Sequence, residues 1–126
     1  MKIVLFGAGG QVGEEVASAA ADFPNIEIIP LRRADADLAK SGAAAAIILR
    51  TRPAAVINAA AWTAVDKAEG ESEAAHRINA LAVGEIAVAC RDIKARLLQI
   101  STDYVFAGDG AATPLDESAS VRPLNV

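Results

Sequence analysis

Two alternating patterns of apolar residues run along most of the chain. Short unbroken runs, KIVLF at 2–6, IEIIPL at 26–31, AAVINAAA at 54–61 and RLLQIS at 96–101, have the length and composition of strands buried on both faces. Between them the apolar positions recur at helical spacing. EEVASAAADF follows the first run and leaves through Pro24 and Asn25; SGAAAAIILRTR at 41–52 is closed by Pro53. The longest helical pattern is SEAAHRINALAVGEIAVACRD at 72–92, with Ala75, Ile78, Ala82, Ile86 and Ala89 on one face and Ser72 as a fair N-cap. Beyond Ser101 the pattern dissolves into TDYVFAGDGAATPLDESASVRP, a stretch of Gly, Asp, Ser and Pro that reads as loop.

Strands alternating with helices predict right-handed βαβ units, hence an α/β fold with a Rossmann-like, doubly wound parallel sheet. The pattern supplies about four strands, for which the expected spatial order is 3-2-1-4. Residues 1–126 read as one domain built on this sheet. A sheet stopping after its fourth strand leaves an open edge and a bare apolar face, so self-association through that edge is the expectation.

Composition narrows the choice of partner. The chain has 126 residues, 53% of them hydrophobic but only 4% aromatic, because alanine supplies much of the apolar count. Its 12 basic and 16 acidic residues give a net charge of −4 without a basic stripe, which argues against binding nucleic acid through phosphates. No apolar run reaches the about 20 residues that span a bilayer, and MKIVLFGAGG is too short an apolar stretch for a secretion signal. One cysteine, Cys90, allows no internal disulfide and no metal-ligand spacing, in keeping with a cytoplasmic setting.

The candidate chemistry begins at GAGGQVG, between the first strand and the first helix. Val12 stands where GxGxxG needs its last glycine, but Gly7, Gly10 and Gly13 satisfy GxxGxxG. Gly7 suits a tight turn, Gly10 close approach of a pyrophosphate, and Gly13 close packing of helix on strand. The amides of Gly10, Gln11 and Val12 are then expected to point from the helix N-terminus at the phosphates. The end of the second strand reads PLRRAD. An acid there would accept from a ribose 2′-hydroxyl, whereas Arg32 offers a planar fork to a 2′-phosphate. NADPH is therefore the expected cofactor, with NADH as the alternative.

Taken with NAAAWTAVDKAE and STDYVFAGDG, the glycine motif resembles that of the dTDP-4-dehydrorhamnose reductases, a branch of the extended short-chain dehydrogenase/reductases. The resemblance runs from the first strand to PLNV at the end of the chain. It implies NADPH-dependent reduction of the 4-keto group of dTDP-4-dehydro-L-rhamnose, with a nucleotide sugar as substrate. Residue by residue, it implies that Gly7, Gly10, Gln11 and Val12 hold the pyrophosphate, and that Asp37 and Leu38 lie beside the adenine. Ala61, Trp62 and Thr63 would line the cofactor, Thr102 would be the catalytic hydroxyl and Asp103 a substrate contact. Another sugar-nucleotide reductase or epimerase, or a noncatalytic NADP-binding regulatory module, are the alternatives.

The residue types suit that reaction. Hydride delivery from nicotinamide leaves charge on the former carbonyl oxygen, which a Ser or Thr hydroxyl polarises and a lysine-activated tyrosine protonates. The family carries that tyrosine and lysine as YxxxK, one helical turn apart. This chain has one tyrosine, Tyr104, with Gly108 four residues on. In the resembled family, PLNV is followed by the YxxxK helix. The chain is thus expected to be the cofactor-binding half of the enzyme, inactive alone. His76 reads as a solvated helix residue and Cys90 as a small buried hydrophobe. Asn79 is a candidate brace between its helix and the NAAA strand end.

Overall fold

The computed structural model describes residues 1–108 and 114–126. Four strands form one sheet: β1 (Lys2–Phe6), β2 (Glu27–Leu31), β3 (Ala55–Asn58) and β4 (Arg96–Gln99), all parallel. Between β1 and β2 lies α1 (Gln11–Ala19), and between β2 and β3 lies α2 (Ala43–Thr51). The β3–β4 connection holds α3 (Val65–Gly70), α4 (Ser72–His76), a π-helical turn (Arg77–Leu81) and α5 (Ala82–Ile93). The long helix expected at 72–92 is thus interrupted by a wider turn, and Ser72 is its first residue rather than its cap.

The α/β class and the parallel sheet are as expected, but the strand order is not. The sheet runs β2-β1-β3-β4 instead of 3-2-1-4. Val4 pairs with Ile29 on one side and with Val56 on the other, so the third strand crosses over β1 rather than extending beyond β2. The reason lies in which face each helix covers. Val4, Phe6 and Val56 pack with Ala44 and Ile48 of α2 and Ile86 of α5, whereas the alternate β1 residues Ile3 and Leu5 are buried outside that cluster, on the face that α1 covers. A right-handed connection through the α2 face must move along the sheet opposite to one through the α1 face.

That core is tight because it is built from small residues. Ala44, Ala82 and Ala89 are at most 2% exposed and let Ile48 and Ile86 reach the sheet. Two helices end on non-glycine residues in the left-handed region, Arg52 at φ 44° before Pro53 and Lys94 at φ 59° before β4. β4 is an edge strand with a divided character. Leu97 joins the core, while Leu98 on the opposite face and Ile100 just beyond are 55% and 41% exposed. No helix among the described residues is long and apolar enough to cross a membrane.

Candidate functional site

In the order β2-β1-β3-β4 the chain leaves β1 in one direction and reaches β3 in the other. The loops after β1 and β3 therefore diverge, which opens the crevice at the carboxyl edge where doubly wound sheets take ligands. The first wall of that crevice is the glycine turn. Gly7 has φ +79°, and a Cβ there would stand 2.5 Å from the Ala60 nitrogen, so only glycine lets the two loops touch. A Cβ on Gly13 would lie 2.1 Å from the Gly7 carbonyl oxygen, which explains how α1 sits against the end of β1. The Gly10 amide donates to that same oxygen at 3.0 Å. It is therefore turned inward, unlike the expected outward-pointing amide, and Gln11 and Val12 are left as the exposed first-turn residues. Gly10 caps α1 without any side-chain hydrogen bond.

Arg32 comes up beside this turn. Its side-chain Cγ and Cδ lie 3.6 and 3.7 Å from where a Cβ of Gly9 would be, so its stem crosses the glycine turn. Its backbone amide donates to Asp35 at 2.9 Å. Arg33 instead turns to Asp37, 3.6 Å away at the surface. Asp37 also accepts from the Ala39 amide at 3.1 Å. Leu38, 5% exposed, points its side chain into the core, while the Asp37 side chain before it is half-buried.

The second wall is the segment after β3. Asn58 is fully buried; its amide donates to Gln99 at 2.8 Å and its oxygen accepts from the Ala60 amide at 3.2 Å. Trp62 is held from three sides. Asn79 accepts from its backbone amide at 2.8 Å and donates to its carbonyl at 3.1 Å. Its indole N–H donates to Ala64 at 3.1 Å, and Lys67 stands 5.2 Å from the ring centroid. Ala61 and Thr63, on either side, are exposed. Asn79 does act as a brace, but on the Trp62 loop just past the strand, and the π-helical turn carries it.

Behind both walls lies a charged cluster that the sequence pattern did not disclose. Arg77 donates to Glu85 at 2.9 Å, and Glu85 also accepts from the Ser41 hydroxyl at 2.9 Å and the Gly42 amide at 3.0 Å. The hydrogen bond from Arg77, then that from Gly42, hold the Glu85 carboxyl down at about 2.

Thr102 and Asp103 follow β4, the neighbour of β3, and so emerge at the same edge of the sheet. The Thr102 hydroxyl accepts from the Tyr104 amide at 3.2 Å, capping a short 3-10 turn over Asp103–Val105, and donates to Asp103 at 3.3 Å. Tyr104 is 57% exposed. Sequence pattern alone does not point to Arg77 or Glu85; Asn58 carries the one available signal, a lone amide ending the apolar run AVIN.

A parallel sheet with a glycine turn, an uncapped helix N-terminus and a neighbouring arginine at its switch point defines an α/β protein of the doubly wound, nucleotide-binding kind. Within that class the assignment is specific: the chain belongs to the family described as RmlD substrate binding domain, whose model matches residues 1–126. It is 41% identical over its whole length to the dTDP-4-dehydrorhamnose reductase of Shigella flexneri, and 42% identical to that of Escherichia coli K12. The chain spans about two-fifths of the length of these relatives, 42% in both cases. Among solved structures, the dTDP-4-dehydrorhamnose reductase of Clostridium acetobutylicum superposes with a TM-score of 0.92 at 39% identity, covering 99% of this chain and 44% of that one. The Bacillus anthracis reductase in complex with NADP gives 0.90 at 33% identity, covering 98% and 44%.

Proposed function

We infer that this chain is the dinucleotide-binding portion of an NADPH-dependent dTDP-4-dehydrorhamnose reductase. The observation that carries the reading is the crossing of Arg32 over the glycine turn, beside an α1 N-terminus that no side chain caps. The uncapped first turn suits a pyrophosphate, with Gln11 and Val12 supplying amides, Gly10 the close approach and Gly7 the turn. Arg32 then meets the 2′-phosphate. Asp37 serves the adenine through its carboxylate, and Leu38 serves it only through its backbone, since its side chain is buried. Ala61, Trp62 and Thr63 run along the cofactor. The dihydronicotinamide supplies a hydride to the sugar's carbonyl carbon when bound. Thr102 polarises the carbonyl oxygen, and Asp103 contacts the nucleotide sugar.

The 126 residues contain no YxxxK, so the proton for that oxygen needs a donor that this chain does not contain. We therefore expect binding without turnover. Titration with NADPH and NADH tests the reading: wild type should prefer NADPH by tenfold or more, and Arg32→Ala should erase the preference while retaining NADH. Equal affinity of wild type for the two cofactors would remove Arg32 from the site. The exposed Leu98 and Ile100 beside the free edge of β4 support the reading that this chain self-associates there, which concentration-dependent sedimentation would detect.

A further inference from the structure

Arg77 and Glu85 reach the second half of the segment between β2 and α2, at Leu38 and at Ser41–Gly42. Arg77, with its side chain 19% exposed, donates through Nε to the Leu38 carbonyl at 3.4 Å and through Nη1 to Glu85 at 2.9 Å. Glu85 in turn takes the Ser41 hydroxyl and the amide of Gly42. Gly42 is the N-cap of α2, in the left-handed region at φ +76°, and has no side-chain cap of its own. Glu85 therefore caps α2 from a different helix, with its charge at the positive end of the α2 dipole. Among the described residues, the remaining nitrogen of Arg77, Nη2, is buried without a hydrogen-bond partner.

For stability alone this is a poor arrangement. A mostly buried guanidinium that leaves one nitrogen unsatisfied carries a desolvation cost that an apolar residue would avoid. What the fork does provide is geometry. It fixes Leu38 directly, and Ser41–Gly42 through Glu85, so residues 38–42 are held against the start of α5 from inside the fold. Asp37, the next residue out, is half-buried and accepts from the Ala39 amide. Without the fork, this loop would have to become ordered at the moment of binding, at the expense of affinity.

We propose that Arg77 and Glu85 are positioning residues for the adenine half of the dinucleotide: they fix the Leu38–Gly42 loop against α5 without touching the cofactor. This rests on the assignment of Asp37 and Leu38 to the adenine given above. The test uses this chain and adenosine 2′,5′-bisphosphate, which carries only the adenine end of the cofactor. Arg77→Met should weaken its binding about tenfold. Arg77→Lys should recover part of the loss, since an ammonium keeps the charge but lacks the planar fork that holds Leu38 and Glu85 at a fixed spacing. The double variant with Glu85→Gln should bind no worse than Arg77→Met, because both residues act through one loop.

Amide hydrogen exchange separates this role from general damage. In Arg77→Met, exchange at Lys40–Gly42 should rise while the β1 and β3 amides keep their protection. Unchanged bisphosphate affinity in Arg77→Met, or loss of protection in β1 and β3 to the same degree, would overturn the proposal. If Arg77→Met does not fold, Arg77→Lys carries the test, and wild-type affinity in it overturns the proposal equally. Failure of the wild-type chain to bind the bisphosphate would overturn the adenine assignment itself, and the proposal with it. Wild-type binding with insensitive variants would remove the clasp alone.

Discussion

The turn after β1 and the exit after β4 lie at the same edge of one sheet, but they are built differently. Around the glycine turn, backbone meets backbone: Gly7 against Ala59 and Ala60, Gly13 against Gly7, and no room for one carbon at either site. The Trp62 loop opposite is held by both atoms of the Asn79 amide from a helix 17 residues away in sequence. At the β4 exit, among the described residues, the Thr102 side chain bonds Asp103 and the Tyr104 amide, the Thr102 and Asp103 carbonyls accept from Val105 and Phe106 of the same turn, and Thr102, Asp103 and Tyr104 are exposed. The region proposed to bind cofactor is thus fixed by packing from several elements. The region proposed to carry the reacting hydroxyl is a local turn. Of the two proposed regions, the first is the more tightly built.

The sharpest way to break that contrast is Gly13→Ala. The added carbon falls on the Gly7 oxygen, and neither backbone can yield cheaply, so we expect about 3 kcal/mol or more of lost stability. A loss near zero in a urea titration would mean that the turn is loosely packed. Asn79→Ala comes next. It leaves the Trp62 amide and carbonyl without partners and should cost about 1–2 kcal/mol, read as a shift in the thermal midpoint. Thr102→Ala should cost under about 1 kcal/mol, since its hydroxyl caps one exposed turn. A loss as large as that of Asn79→Ala would show that the two regions are equally integrated.

A further prediction concerns pH. Glu85 has its folded pKa lowered from 4.5 to about 2, so the unfolded chain takes up its proton first as the solution is acidified. Its contribution is complete above the unfolded value and is lost as pH falls from about 4.5 towards 2. The gap in urea midpoint between wild type and Glu85→Gln should therefore narrow between pH 6 and pH 3. A gap that stays constant would show that the carboxylate charge contributes nothing.

What was legible in the sequence follows from how far apart the cooperating residues lie. β1 matched KIVLF residue for residue, and the glycines announced their turn, because both signals are contained in a few consecutive positions. Strand order was misread because an apolar run records that a strand is buried on both faces, not which strands flank it. The π-helical turn left no mark either. Ala75, Ala82, Ile86 and Ala89 are all buried as the helical period predicts, with or without one wider turn between them. Asn58 with Gln99, and Ser41 with Glu85, are separated by 41 and 44 residues, beyond any local pattern. Leu38 was legible as apolar but not as a core residue, since the fold alone decides which way that loop turns.

Nucleotide is proposed to bind at the β1–β3 crevice of this chain. Mapping backbone amide chemical shifts by NMR as NADPH is added tests it residue by residue. The largest changes should fall at Gln11, Val12 and Arg32, smaller ones at Ala61–Thr63, and none at Leu98 on the far edge. Changes confined to other surfaces, such as the outer faces of α2 and α5, or no change at saturating NADPH, would contradict it.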